Sequence, residues 1–144
     1  MKCRIYLDNC CLNRPYDDQS QPRVRFETLA KLHIQNMVFE REIELVWSYI
    51  LKYENSRNPF DAKKRAIERW EKLSSLFVTM SEEIVASAEV ITATGVKNTD
   101  ALHVACAIAA NCNYFITVDK RLLSYRNGRI IVCNPIEFFN QIEI

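Results

Sequence analysis

The chain has 144 residues, 49% of them hydrophobic, which is enough for a substantial core and close to the usual size of one domain. We therefore expect residues 1–144 to form a single domain. Nineteen lysines and arginines are balanced by 18 aspartates and glutamates, a net charge of +1. This balance excludes a protein that coats nucleic acid through bulk positive charge, but not an enzyme with acids clustered in one cleft.

The predicted elements alternate between strands and helices along the chain. In chain order they are a strand at residues 4–7, a loop at 9–21, a helix at 24–39, a strand at 43–47, helices at 49–56 and 62–73, a strand at 75–80, helices at 82–94 and 99–110, a strand at 114–118, a helix at 120–125, a strand at 129–133 and a helix at 134–139. The strands are continuous apolar runs, which predicts an α/β fold with a mainly parallel sheet covered on both faces.

Local signals indicate where some helices begin and what they bury. Ser48 and Asp61 are typical N-cap residues for the helices that follow them. The helix at 99–110 is apolar almost all round, so we expect it to be central. The helix at 24–39 is predicted by apolar residues that recur at close to the helical period. These residues are Phe26, Leu29, Ala30, Leu32, His33, Met37 and Val38.

The six cysteines show no C-x-x-C spacing, which argues against a zinc knuckle or a thioredoxin-like site. Residues 1–8 are too charged to begin a secretory signal, and no apolar run reaches membrane-spanning length. We therefore expect reduced, structural thiols, a cytoplasmic location and no membrane contact.

Four acidic residues that are far apart in sequence fall at the ends of predicted elements. Asp8 follows the first strand, Asp119 follows the fourth, Asp100 begins the buried helix, and Glu54 lies on the helix after the second strand. Ligands of open α/β sheets bind at the carboxyl ends of the strands, where these acids can converge. Clustered carboxylates repel one another, and a hard divalent cation removes that conflict. The hypothesis is a metal site that polarises a phosphate and activates water.

Each acid also has a structural interpretation. Asp8 and Asp119 can cap the segments after them, Asp100 can interact with the dipole of its helix, and Glu54 can pair with Arg57. The joint placement of all four acids favours a common site. Other catalytic classes lack their motifs, because two glycines are too few for a Walker loop or a dinucleotide fingerprint.

The segments that carry these acids resemble, in order and spacing, the four acidic motifs of PIN-domain proteins. The segments are residues 5–9, 48–54, 98–105 and 116–122, and the opening 8–15 is similar to a prokaryotic subgroup of the family. The resemblance runs nearly end to end. It implies a three-layer α/β/α sandwich around a parallel sheet and Mg²⁺- or Mn²⁺-dependent cleavage of RNA.

The resemblance also implies roles for individual residues and partners. Asp8, Glu54, Asp100 and Asp119 match the metal-binding, catalytic acids, and Asn9 and Thr117 match the small polar positions that support them. Many prokaryotic members are the toxin of a toxin–antitoxin pair and many form homodimers, so an antitoxin and a second copy are implied partners. An alternative is a PIN-like RNA- or protein-binding module that has lost catalysis, against which the presence of all four acids argues. The number of metal ions and the RNA target stay open.

Other residues near the predicted site have two interpretations. His103, one turn after Asp100, could hydrogen-bond a metal ligand or a phosphate, but a half-buried histidine satisfied by a neighbour is favoured. Asp17 and Asp18 are favoured as solvated loop acids. Basic residues that flank the predicted cleft are candidates for binding substrate phosphates. They are Arg14, Lys120 and Arg121, with Arg23 and Arg25 beside them.

Overall fold

The computed structural model describes residues 2–142 and contains one five-stranded sheet. All neighbouring strands are parallel, in the order β3-β2-β1-β4-β5. The strands are β1 (Arg4–Leu7), β2 (Glu44–Ser48), β3 (Leu76–Val78), β4 (Tyr114–Ile116) and β5 (Ile131–Cys133). The helices are α1 (Asn9–Asn13), α2 (Pro22–Phe39), α3 (Tyr49–Ser56), α4 (Asp61–Glu71), α5 (Glu82–Thr92), α6 (Asn98–Ala109), α7 (Lys120–Leu123) and α8 (Pro135–Gln141).

Helices cover both faces of the sheet, which confirms the predicted α/β/α sandwich. Ile5, Tyr6 and Leu7 are consecutive in β1 and all almost fully buried, as are Phe115 and Ile116 in β4. Successive strand residues point to opposite faces, so both faces must be covered. Helices α3, α5 and α6 form one packed group, while α2 packs against α8. No helix in the described part of the chain combines the length and apolar character needed to cross a bilayer.

The predicted loop at residues 9–21 is wrong, because α1 and a 3₁₀ turn (Arg14–Tyr16) lie within it. The carboxylate of Asp8 accepts the backbone N–H of Asn9 (2.8 Å) and so begins α1. Pro15 lies at the start of the 3₁₀ turn, where a missing N–H leaves no hydrogen bond unmade. Polar composition concealed these two short elements.

The two predicted helix caps had different outcomes. Ser48 caps α3 as predicted, since its hydroxyl accepts the N–H of Leu51 (3.2 Å). Asp61 is instead the first residue of α4, and the cap position is taken by Phe60 without a side-chain hydrogen bond. An acid in the first turn is still favourable to the helix dipole.

Helix α2 forms as its apolar pattern predicted but buries only some of the apolar residues of that pattern. Phe26, Leu29 and Leu32 are 55%, 58% and 46% exposed, whereas Glu27 and Lys31 are 0% and 4% exposed. One charged residue of the inner face takes part in an ion pair that periodicity cannot reveal. The carboxylate of Glu27 accepts the guanidinium of Arg14 at 2.7 Å, and Arg14 belongs to the adjacent 3₁₀ turn.

Lys31 lies one turn further along the same inner face. No acid in residues 2–142 forms an ion pair with it. Burial lowers the pKa of its ammonium to about 8, and the charge interaction with the Cys11 thiol only partly opposes this. Buried cations without partners destabilise the folded chain.

All six cysteines are free thiols, as the sequence led us to expect. Burial raises the pKa of Cys106, Cys112 and Cys133 to about 12, so these thiols stay protonated at neutral pH. They act as small apolar side chains of the core.

Candidate functional site

Asp8 and Asp119 lie at the carboxyl ends of two neighbouring strands. Asp8 directly follows β1, Asp119 follows shortly after β4, and these strands pair in parallel, so their ends meet at one edge. Both aspartates cap the helices that follow, as their structural interpretation predicted. Asp8 accepts the N–H of Asn9, and Asp119 accepts the N–H of Arg121 (2.9 Å). Capping uses only Oδ1 of Asp119, and Oδ2 has no hydrogen-bond partner within residues 2–142.

Thr117 connects the two aspartates. Its hydroxyl donates to Oδ2 of Asp8 (2.8 Å), and its oxygen accepts the backbone N–H of Asp119 (3.1 Å). The thiol of Cys10 lies 3.3 Å from both Oδ2 of Asp8 and the hydroxyl of Thr117. Asn9 approaches Asp8 only through its backbone N–H, while its side chain bonds within α1. Thr117 and Cys10 therefore fix the orientation of the Asp8 carboxylate.

Asp100 is the third residue of α6, and the pKa of its carboxyl responds to the charges of the other acids. Burial raises the pKa of its carboxyl, and the charges of Asp8, Asp119 and, more weakly, Glu54 raise it further. Only His103 acts in the opposite direction. Like charges shift a pKa in this way when they are close. The four acids therefore share one electrostatic environment.

His103 joins Glu54 to the buried core. Its Nε2 bonds to Oε1 of Glu54 and lies 4.0 Å from Oδ1 of Asp8, while its Nδ1 lies 2.6 Å from the hydroxyl of Tyr6. That hydroxyl is also 2.6 Å from the hydroxyl of Ser48. The prediction of a half-buried histidine is wrong, because the ring is 1% exposed. The other interpretation, that His103 hydrogen-bonds a metal ligand or a phosphate, stays a prediction; its ring bonds to Glu54, one of the candidate ligands.

Tyr6 and Ser48 were not predicted as part of this site, although the sequence held a signal. Residues two apart in a strand point to the same face, so Tyr6 is on the same side of the sheet as Asp8. A polar side chain within an apolar strand, two residues before a candidate acid, was the available clue.

The predicted pairing of Glu54 with Arg57 does not form, because Arg57 lies against the ring of Tyr53.

The donor set suits a hard divalent cation, although the acids do not form a closed cage. Within residues 2–142, no three His, Cys, Asp or Glu side chains are arranged to hold a metal ion. Mg²⁺ keeps several waters and usually binds through one or two carboxylates, so it does not require three ligands in direct contact. Repulsion acts among Asp8, Glu54, Asp100 and Asp119. A divalent cation among these four acids would relieve it.

The predicted phosphate-binding residues differ in their availability. Arg14 is not free, because its guanidinium is occupied by Glu27 (2.7 Å) and Asp17 (3.1 Å). Asp17 is an exposed acid engaged in that pair, as its structural interpretation expected. Lys120 and Arg121 begin α7 and are exposed, and neither forms an ion pair within the part of the chain described.

A cleft of about 370 Å³ opens beside the acids. Asp100 lines one side of it, and three cationic side chains, Lys97, Arg121 and Arg126, line it together with Tyr125. Its volume falls in the range of small-molecule sites. The cleft thus places positive charge and an aromatic ring next to Asp100, one of the four acids.

The family model described as PIN domain matches residues 5–127, and the chain belongs to this family. PIN domains are generally nucleases, and those nucleases generally use divalent metals. Among solved structures, the chain is similar to a chain in the crystal structure of VapBC2 from Rickettsia felis, which is bound to a DNA fragment from the VapBC2 promoter. The similarity has a TM-score of 0.55 at 15% identity and covers 91% of this chain and 98% of that chain. It shows a common fold. The comparison with curated proteins found no match.

Proposed function

We propose that the chain is a Mg²⁺- or Mn²⁺-dependent endoribonuclease. The observation that carries this proposal is a set of contacts that link the acids. Thr117 bonds to the carboxylate of Asp8 (2.8 Å) and to the N–H of Asp119 (3.1 Å), and Nε2 of His103 bonds to Glu54 and lies 4.0 Å from Oδ1 of Asp8. The raised pKa of Asp100, to which the charges of these acids contribute, supports it. These carboxylates gather where α/β sheets bind their ligands, and membership of a family of nucleases supports the same conclusion. A bound divalent cation would polarise the scissile phosphate and stabilise the charge that develops on the leaving oxygen.

The residues of the chain would divide the remaining work. The four acids hold the cation, and Thr117 keeps the Asp8 carboxylate in a fixed orientation. Lys120 and Arg121, on the helix capped by Asp119, would bind backbone phosphates of the RNA. Arg121 also lines the cationic cleft, which would hold the strand beside the scissile bond.

RNA cleavage with a matched pair of variants tests the proposal. Wild-type protein should cleave a mixed RNA pool with Mn²⁺ or Mg²⁺ and not with EDTA, and Asp100→Asn should reduce cleavage to background. Asp18→Asn is the control, because Asp18 is an exposed loop acid whose carboxylate only accepts the N–H of Ser20. Cleavage that persists in EDTA or in Asp100→Asn would contradict the proposal.

We also propose that the nuclease is a cytoplasmic toxin that forms a homodimer and is bound by a cognate antitoxin. The free thiols suit a reducing compartment. Exposed apolar side chains on α2, including Phe26, Leu29 and Leu32, suit a surface that a protein partner covers. Induced expression should stop bacterial growth for the wild type and not for Asp100→Asn, and sedimentation should show a dimer. Normal growth on expression of the wild type would contradict the toxin role, and a monomer at all concentrations would contradict the homodimer.

A binding module without catalysis is the second candidate. Its binding surface would be the cationic cleft lined by Lys97, Arg121 and Arg126, which can contact phosphates without a metal ion. Fluorescence anisotropy with labelled RNA separates the candidates. Equal binding by wild type and Asp100→Asn, with no cleavage under any metal, would identify the module.

A further inference from the structure

We infer that Tyr6 is a positioning residue that acts through His103 to fix the orientation of the Glu54 carboxylate. The inference rests on the proposed function, in which Glu54 is one of the acids that hold the cation. It adds a buried layer behind the acids, built from β1, β2 and α6. The argument uses the direction of each hydrogen bond, the position of Glu54 at the surface and the packing of Tyr6.

The hydrogen bonds run in one direction toward Glu54. A carboxylate only accepts hydrogen bonds, so Nε2 of His103 carries the proton in its bond to Oε1 of Glu54. In a neutral ring Nδ1 is then an acceptor, and the Tyr6 hydroxyl at 2.6 Å is its donor. The Tyr6 oxygen in turn accepts from the Ser48 hydroxyl (2.6 Å). Ser48 is itself fixed, because its oxygen accepts the N–H of Leu51 (3.2 Å).

Glu54 is partly exposed and, in the described part of the chain, is held by a single hydrogen bond. Its side chain is 26% exposed, whereas that of His103 is 1% exposed. Within residues 2–142 its only hydrogen bond and ion pair are made by Oε1 to His103, which leaves Oε2 unbonded. A carboxylate held by one oxygen presents the other in a defined direction. Groups that orient metal ligands in this way typically contribute about 10–100-fold to metal affinity or activity.

The packing of Tyr6 allows its hydroxyl to be tested separately from its ring. The ring stacks on Phe115 with centroids 5.3 Å apart, and Tyr6→Phe keeps that ring. Tyr114 on the adjacent strand provides a matched control, because its ring packs against Phe138 (5.2 Å) and its hydroxyl makes no hydrogen bond to the described residues. A purely structural role of the Tyr6 hydroxyl would lower the stability of Tyr6→Phe, because Ser48 and His103 lose a buried partner, but would leave the affinity of the folded protein for metal unchanged.

The first measurement follows the His103 ring in metal-free protein by long-range proton–nitrogen NMR correlations. We expect the tautomer protonated at Nε2 in the wild type and in Tyr114→Phe. Tyr6→Phe removes the donor to Nδ1 and should change the nitrogen shifts of this ring. A wild-type ring protonated at Nδ1, or a Tyr6→Phe spectrum identical to the wild type, would overturn the inference whether or not the protein cleaves RNA.

The second measurement is the affinity for Mn²⁺ alone, by calorimetry. Tyr6→Phe should weaken it by about 10-fold, the lower end of the range for such groups, while Tyr114→Phe leaves it unchanged. His103→Gln, which can still donate to Glu54, should retain more affinity than His103→Leu. Wild-type affinity in Tyr6→Phe would overturn the inference alone. Failure of the wild type to bind Mn²⁺ or cleave RNA would overturn the proposed function and, with it, the assignment of Tyr6 to a metal site.

Discussion

Replacing the buried Lys31 by methionine should stabilise the protein at neutral pH. The pKa of Lys31 falls from its usual 10.5 to about 8 because burial disfavours the ammonium. At 1.36 kcal/mol per pKa unit, the charged side chain therefore costs the folded state about 3 kcal/mol at pH 7. Because folding lowers this pKa, the cost is absent above 10.5, grows as the pH falls toward 8 and is constant below that. Lys31→Met removes it.

Urea unfolding followed by tryptophan fluorescence measures this effect, since Trp47 is buried in β2. Lys31→Met should exceed the wild type by about 3 kcal/mol at pH 7 and by about 1 kcal/mol at pH 9.5, from the same linkage. Lys52→Met is the control, because Lys52 is exposed on α3 and makes two surface contacts, an ion pair with Glu71 (3.6 Å) and a cation–π contact with the ring of Phe77 (5.8 Å), each worth about 0–1 kcal/mol. A Lys31→Met advantage that does not change with pH, or no advantage at all, would refute the reasoning.

Three further predictions concern the acids and thiols. Folding raises the pKa of Asp100, so the contribution of this carboxyl to stability is present below the ordinary carboxyl pKa and is lost as the pH rises through the folded-state value. In EDTA at pH 7, Asp100→Asn should therefore have a higher melting temperature than the wild type, and this gain should disappear below about pH 4. A lower melting temperature in the variant at pH 7 would contradict this. Glu27→Gln removes the buried carboxylate that pairs with Arg14 and should lower the free energy of unfolding by about 1.5–3 kcal/mol in urea titrations, the range for a hydrogen bond to a charged group, because Arg14 keeps its pair with Asp17. A neutral result would show that the pair adds nothing. The three thiols with pKa values of about 12 should react with iodoacetamide at pH 8 about 1,000-fold more slowly in the folded than in the urea-unfolded protein; they belong to Cys106, Cys112 and Cys133. Equal rates in the two states would mean that these thiols are accessible in the folded protein.

The sheet and its connections were predictable because burial on both faces leaves a strong pattern in the sequence. Continuous apolar runs predicted every strand, and Ser48 correctly predicted the start of α3. The inner face of α2 was only partly predictable, because beside apolar residues it carries Glu27, whose ion pair with Arg14 is a contact across 13 residues of chain. Periodicity shows that a segment is helical, but both faces of α2 carry apolar side chains, so the pattern did not show which one is buried.

At the candidate site, the sequence predicted which backbone positions meet but not how the side chains bond. Asp8 and Asp119 follow directly from the rule that parallel strands end at one edge. The contacts of Thr117 with Asp8 and of Tyr6 with His103 join residues 109 and 97 positions apart, which no local pattern encodes. For Arg14, the sequence position suggested a guanidinium free to bind phosphate, but in the structure this guanidinium pairs with Glu27.

The central place of β1 has a consequence for the order in which the protein is built during synthesis. On one side Ile5 of β1 is matched by Leu45 of β2, and on the other by Tyr114 of β4. A chain emerging from the ribosome can therefore pair β1, β2 and β3 long before β4 exists, and until then one edge of β1 has no neighbour. Asp119 is made later still. Under the proposed function, a partly synthesised copy thus lacks one of the four proposed metal-binding carboxylates and cannot cleave the ribosome's own RNA until most of the chain has been made.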